Sequence, residues 1–175
     1  MRWWRSASLV GSRGAQAAHI VIPAASAVPR PANVSLAEAA TPPMHGLTAL
    51  HALDIARFST RQTLGVSGGA GWLAEQAIVF ARQRRLRTIA DAKAEERDLV
   101  RRYGTDTVVR RSDDFASAVR REVPEGVDAL LDTALLGESS FAAIRTAAPP
   151  FLSAARTASL TSLASGSRRG GARRA

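Results

Sequence analysis

The sequence predicts an α/β fold, a doubly wound parallel sheet with helices on both faces. Two observations predict it. Between residues 36 and 144, strand-like runs alternate with helix-like segments of about ten residues, the signature of consecutive βαβ units. Within that alternation the short β run "TLGVS" (63–67) feeds into glycines that open onto a helix, and right-handed crossovers would wind the sheet in both directions. In such sheets ligands bind beyond the carboxyl ends of the strands, where the strand order reverses, so the glycine loop is expected in that crevice.

Taken in order, "AHIVIPA" (18–24) reads as a strand followed by a proline-marked loop. Ser35 is placed to cap a helix, and Glu38 three residues later completes a capping box. That helix meets Pro42 and Pro43 and is expected to restart near His45, through "GLTALHALDIARF". After "TLGVS" and the glycines, Leu73, Ala77, Ile78 and Ala81 recur at helical spacing and give one apolar face. "LRTIAD" (86–91) is the next strand. "AEERDLVRRYG" (94–104) is an amphipathic helix with acids in its first turn, arginines in its last and Gly104 as C-cap. "DTVVR" is strand-like, "DDFASAVRREV" helical, "VDALLDTA" strand-like and "ESSFAAIR" helical.

Composition narrows the function. The 175 residues suffice for one domain with a proper core, and 46% apolar content is ordinary for a globular chain. No run approaches the roughly 18 apolar residues that cross a bilayer, and Arg13 interrupts any signal-peptide core after "MRWWR", so a cytoplasmic protein is expected. With no cysteine there are no disulfides and no thiolate zinc sites; His19, His45 and His51 lack ligand spacing, so no metal is expected. The net charge of +9 invites a nucleic-acid reading, but its distribution opposes one. Residues 1–37 and 145–175 hold arginines and no acid, while 38–144 hold all 15 acids and net −1. Every basic residue except Lys93 is an arginine, which with the abundant alanine fits the codon bias of a GC-rich genome. A nucleic-acid-binding role for the arginine-rich tail is the weakest reading, since aromatics are not interleaved there.

The glycine stretch carries the chemistry. Gly69, Gly71 and Ala74 fit G-x-G-x-x-G/A, with Ala70, Trp72 and Leu73 between them. Gly69 permits a tight turn in which φ can be positive, Gly71 lets a pyrophosphate approach the backbone, and the small Ala74 lets helix pack on strand. Free N–H groups and the helix dipole then favour phosphate anions. Asp91 closes the next strand, 22 residues past Gly69, where an acid binding the adenosine ribose would favour NAD(H). Lys93 and Arg97 could receive a 2′-phosphate and favour NADP(H), or could line a solvated helix face. The sequence accommodates both cofactors, with NADP(H) expected ahead of NAD(H).

"GAQAAHIVIPAASAVPRPANVSLAEAATPPMHGLTALHAL", "GVSGGAGWLAEQAIVFAR", "DLVRRYGTDTVV" and "VPEGVDALLDTALLG" together resemble the medium-chain dehydrogenases/reductases, in collinear order over residues 14 to 145. The zinc-independent quinone oxidoreductase-like branch is the most similar. The resemblance implies a Rossmann-like NAD(P)-binding domain at 36–145, preceded at 1–35 by a remnant of a GroES-like catalytic domain and its linker. Residues 146–175 are expected to be a disordered, low-complexity basic tail. It implies hydride transfer from NAD(P)H to a quinone, enone or carbonyl, with a small-molecule substrate, no zinc, no nucleic acid, no membrane and a homodimer. Residue by residue, it places Thr48 near the nicotinamide. Gly69, Ala70, Gly71, Trp72, Leu73 and Ala74 fall at the pyrophosphate, and Asp91, Lys93 and Arg97 at the ribose. Residues 132–137 would border the crevice, and no catalytic residue is identified. Family loops commonly read G-G-V-G where this chain has Gly71-Trp72-Leu73-Ala74, so an indole would shield or obstruct the phosphates. The resemblance stops abruptly at both ends, as a truncated or frame-shifted reading frame would, and an incomplete sheet is expected to be marginally stable. The alternative is a nucleotide-binding remnant without turnover.

Overall fold

The computed structural model describes Trp3, Trp4, His19, Val21 and residues 23–146. The chain divides into two compact units, residues 1–48 and 49–175.

In the first unit, β1 (Trp3–Trp4) pairs antiparallel with β2 (Val28–Pro29). Helix α1 (Leu36–Ala40) begins as its sequence predicts. The Ser35 hydroxyl accepts the Glu38 N–H at 3.2 Å, and the Glu38 carboxylate accepts the Ser35 N–H at 2.9 Å, satisfying two orphan donors reciprocally. Helix α2 (Pro42–Ala56), whose residues 49–56 belong to the second unit, starts at the prolines and not near His45. The N–H groups of a first helical turn have no partner in any case, so two prolines there cost no hydrogen bond.

The second unit is built on one parallel sheet of β3 (Thr63–Ser67), β4 (Arg87–Ala92), β5 (Thr107–Arg110) and β6 (Ala129–Asp132), in the order β5-β4-β3-β6. The chain steps outward from β3 to β4 to β5, then crosses back to lay β6 on the far side of β3. The winding therefore reverses between β3 and β6, as the sequence predicts for a doubly wound sheet.

Alternation along the strands divides the core between two faces. Leu64, Val66, Ala90 and Ala92 meet Ala74, Ile78 and Ala81 of α3 (Trp72–Gln83) and Val100 of α4 (Arg97–Arg102) on one face. Ile89, Val109 and Val127 meet Phe115, Ala116, Ala118 and Val119 of α5 (Phe115–Glu122) on the other. β3 is buried along its whole length, and Gly65 leaves room for Val127, whose nearer methyl would lie 3.2 Å from an added Cβ. Small residues on α3 bring it close to the sheet, which fixes where its first turn lies.

Several expected elements differ in kind. Residues 94–104 are not one helix: Ala94–Glu96 form a 3-10 turn before α4. The Glu96 carboxylate accepts the Lys93 N–H at 3.2 Å, and this local bond tightens the turn. Gly104 does end α4 with φ +98°. Gly137–Ala143 is a 3-10 helix rather than an α-helix, and Val127 makes a single parallel bridge to Ile144. Of the run at 18–24, part lies outside the described residues; His19, Val21 and Pro23 are in no strand, and Ala24–Ser26 form a 3-10 turn. Residues 147–175 of the expected tail lie outside the described residues.

Candidate functional site

The carboxyl end of β3 runs into the glycine turn, and three side-chain-free positions shape it. The positive φ falls on Gly68 (+72°), one residue before the position the pattern assigns to it. A Cβ on Gly68 would sit 2.6 Å from Thr133 Oγ1, and one on Gly69 would sit 2.6 Å from the Asp91 carbonyl oxygen. Gly69 is thus required by close approach, not by its dihedral. Gly71 donates its N–H to the Gly68 carbonyl at 2.9 Å and closes the turn. A Cβ on Gly71 would meet nothing within 4 Å except that carbonyl, at 3.2 Å, so the space in front of it is open.

Helix α3 starts immediately after, and Gly71, its N-cap, supplies no side-chain hydrogen bond. The N–H groups of Trp72, Leu73 and Ala74 are therefore uncapped and carry the positive end of a 12-residue helix dipole. Backbone donors, a missing Cβ and a dipole in one place fit a phosphate. Ala74 is fully buried against the sheet, where a larger third residue would push the helix away. Trp72 is 62% exposed, so its indole is not packed into the turn.

At the end of β4, Asp91 is buried and fully engaged. Its Oδ1 accepts the Gly68 N–H at 2.6 Å and lies 3.4 Å from the Gly69 nitrogen, while its own carbonyl takes the Gly69 N–H at 3.1 Å. Its Oδ2 accepts Arg111 Nε at 3.0 Å, in an ion pair whose side chains are 3% and 34% exposed respectively. The hydrogen bond to Asp91, outweighing burial, raises the Arg111 pKa above its ordinary value, so the guanidinium stays charged. Lys93 and Arg97 are exposed beyond β4, and Arg97 Nη2 donates to the Val108 carbonyl at 3.3 Å.

Arg111 is the residue that sequence reasoning misses. The signal for it is an arginine one position past a strand that neighbours the strand carrying Asp91. The Arg111 N–H continues the ladder to the Ala92 carbonyl at 2.8 Å, which fixes that proximity.

Across the reversal, β6 contributes a second carboxylate. Asp132 Oδ1 accepts the hydroxyl of the buried Ser67 at 2.5 Å, and Oδ2 accepts the Gly137 N–H at 2.8 Å. The Thr133 hydroxyl donates to the Ser67 carbonyl at 2.5 Å, and the Ala134 N–H donates to Ser67 Oγ at 3.2 Å. These bonds draw residues 132–137 against the glycine turn. Thr48 is the last residue of the first unit; it donates its hydroxyl to the Met44 carbonyl at 2.7 Å within α2. Among the described residues no group of three His, Asp or Glu side chains could hold a metal ion, and no helix is long and apolar enough to cross a membrane.

No family model matches the sequence, and no curated protein does. Solved structures do match. A mycobacterial quinone oxidoreductase is similar at 29% identity over 70% of this chain and 40% of its own, with a TM-score of 0.61. A mycobacterial protein complexed with NADPH is similar at 28% identity over 71% of this chain and 40% of its own, with a TM-score of 0.62. An NAD-dependent alcohol dehydrogenase is similar at 29% identity over 72% of this chain and 38% of its own, with a TM-score of 0.64. The chain spans about two-fifths of the length of these structures.

Proposed function

We propose that this chain, which by its fold belongs to the medium-chain dehydrogenase/reductase superfamily, is the nicotinamide-dinucleotide-binding part of an oxidoreductase of the quinone reductase type. One observation carries the reading: the uncapped first turn of α3 opens, past a residue with no side chain, at the strand reversal where such sheets bind ligands. The backbone of residues 71–74 would hold the pyrophosphate. Asp132 and Thr133 border it from the β6 side, and Lys93, Arg97 and Arg111 lie toward the ribose end. When bound, the nicotinamide supplies the hydride that a quinone, enone or carbonyl accepts.

One similar structure holds NADPH and another is NAD-dependent, so the comparisons support a nicotinamide cofactor of either kind. NADP(H) is the better fit here because Asp91 is buried against backbone amides, while the cations beside it are exposed or partly so. The reading takes the zinc-independent branch, with which the lack of cysteine in this chain agrees. The substrate is a small molecule, the compartment the cytoplasm, and the outer edge of β6 the natural surface for a homodimer.

The test is to titrate NADPH and NADH into the full chain, following the fluorescence of Trp72 and its fellow tryptophans. Saturable quenching is expected with at least one cofactor. No response from a chain shown to be folded by circular dichroism would overturn the reading. Quinone-dependent NADPH oxidation then separates turnover from binding alone.

A further inference from the structure

The charge that nets −1 over residues 38–144 is sorted by the fold. Residues 57–87 hold six arginines and a single acid, Glu75, which lies in the first turn of α3 beside the glycines. The arginines lie toward the other end of the sheet, where β3 and β4 begin. β3 is five residues long, so that end is about 16 Å from the crevice. Two turns meet there. The Arg61 N–H donates to the Arg85 carbonyl at 3.3 Å, and the Arg87 N–H to the Gln62 carbonyl at 2.9 Å. Arg61, Arg85 and Arg87 are exposed, and their guanidinium groups make no hydrogen bond or ion pair among the described residues. The acids of this end are engaged elsewhere. Asp54 pairs with Arg84 at 2.6 Å, Asp106 takes the amide and hydroxyl of Thr88, and Asp128 takes Gln62, the Thr63 amide and Arg145.

The preference of cations for helix C-termini accounts for Arg82 and Arg84, at the end of α3. It does not account for Arg61 and Arg85, whose backbones are left-handed at φ +70° and +58°. With Arg57 at +48°, arginines are three of the four non-glycine residues with positive φ among the described residues. That conformation is costly for a residue with a Cβ, and arginine has no short side chain to bond locally as asparagine or aspartate does. Where the chain needs the same backbone at Gly68, Gly104, Gly126 and Gly137, it uses glycine. Strain kept together with an unpaired charge points to a use.

We propose that Arg61, Arg85 and Arg87 form a docking surface for the phosphodiester backbone of duplex nucleic acid, at the end of the sheet opposite the cofactor crevice. Guanidinium forks match phosphate oxygens in pairs and stay charged. A polypeptide interface needs an apolar centre, and a membrane surface needs an apolar face to insert. Here Leu64 and Leu86 are buried and Phe58 packs against the core. None of the exposed large hydrophobics among the described residues falls in 57–62 or 84–87. The same lack of an exposed aromatic removes the stacking platform that single strands use. Charge without apolar surface is the chemistry of sequence-independent binding to a duplex backbone.

The experiment follows the fluorescence anisotropy of a labelled DNA duplex of about 20 base pairs, titrated with the full chain over a salt series. Wild type is expected to bind at low salt and to weaken steeply as salt rises. R61G/R85G should make the slope of log affinity against log salt shallower by about two and cost roughly tenfold or more in affinity at low salt. Its thermal melt should come at or above that of wild type, because glycine suits both turns. R61K/R85K keeps the charges and should keep the slope. R87Q, at an exposed strand position, should lower the slope by about one, and it tests the surface even where the double variant fails to fold. Slopes unchanged in R61G/R85G and R87Q would assign any binding to the basic residues 146–175 and overturn the proposal. Equal or tighter binding of poly-glutamate, or of phosphatidylserine vesicles, overturns it in favour of an acidic protein or a membrane. Failure of folded wild type to bind the duplex at low salt also overturns it, and none of these outcomes touches the cofactor reading.

Discussion

Two aspartates lie at the carboxyl ends of β4 and β6, the strands on either side of β3, and they have been put to different uses. Asp91, at the end of β4, is buried and gives its oxygens to two glycine amides and an arginine. Asp132, at the end of β6, is half-buried and holds one buried hydroxyl and one exposed amide. Residue type and strand position are alike, so what separates them is the partner set. A carboxylate that satisfies backbone donors from which water is excluded becomes part of the scaffold, and one at the rim retains lone pairs for a ligand.

The sharpest way to break this comparison is at the turn itself. Gly68→Val puts a β-branched side chain at φ +72° and drives its Cβ to within 2.6 Å of Thr133 Oγ1. The β3 and β6 ends can then no longer close on each other. Destabilisation of about 3 kcal/mol or more and loss of cofactor binding are expected from urea melts and titration. Next in size is the pair of carboxylates. Asp91→Ala leaves buried amides and Arg111 without an acceptor and should cost about 3 kcal/mol, roughly 10 °C in Tm. Asp132→Ala should cost about 1 kcal/mol, with the larger effect on binding. Equal losses from the two would erase the distinction.

The smallest effect comes from the cap of α5. Asp114 accepts the Ser117 N–H at 2.9 Å, and hydrogen bonding to Ser117, side chain first and backbone second, lowers its pKa. A lowered folded-state pKa means the cap stabilises at neutral pH and fades as pH falls through that value. The Tm difference between wild type and Asp114→Ala should therefore be constant at neutral and alkaline pH and vanish in acid.

Much of this layout is legible in the sequence because it is local. "TLGVS" maps onto β3 without a shift, Ser35 and Glu38 form their capping box, and Gly104 ends its helix, since each depends on residues within a turn. Small residues at 74, 77 and 81 announce the face of α3 that packs on the sheet. What was not legible depends on distant partners. The lack of room for a side chain at 68 is set by Thr133, the ion pair of Asp91 by Arg111, and both pairs meet only when parallel strands find their register. Trp72 is illegible for the same reason: a pattern cannot say whether an indole turns inward, and here it faces solvent.

The strand order also carries a message about time. β3 pairs with β4 across a separation of 24 residues (Thr63 with Arg87) and β4 with β5 across 18 (Ile89 with Thr107), but β3 meets β6 only by closing a span of about 65 residues. Long closures are entropically slow, so β6 is expected to dock last. The crevice has only one wall until that moment. A bound dinucleotide would then act as a latch on the final step of folding, and the fraction of chains able to capture it would report how many have finished.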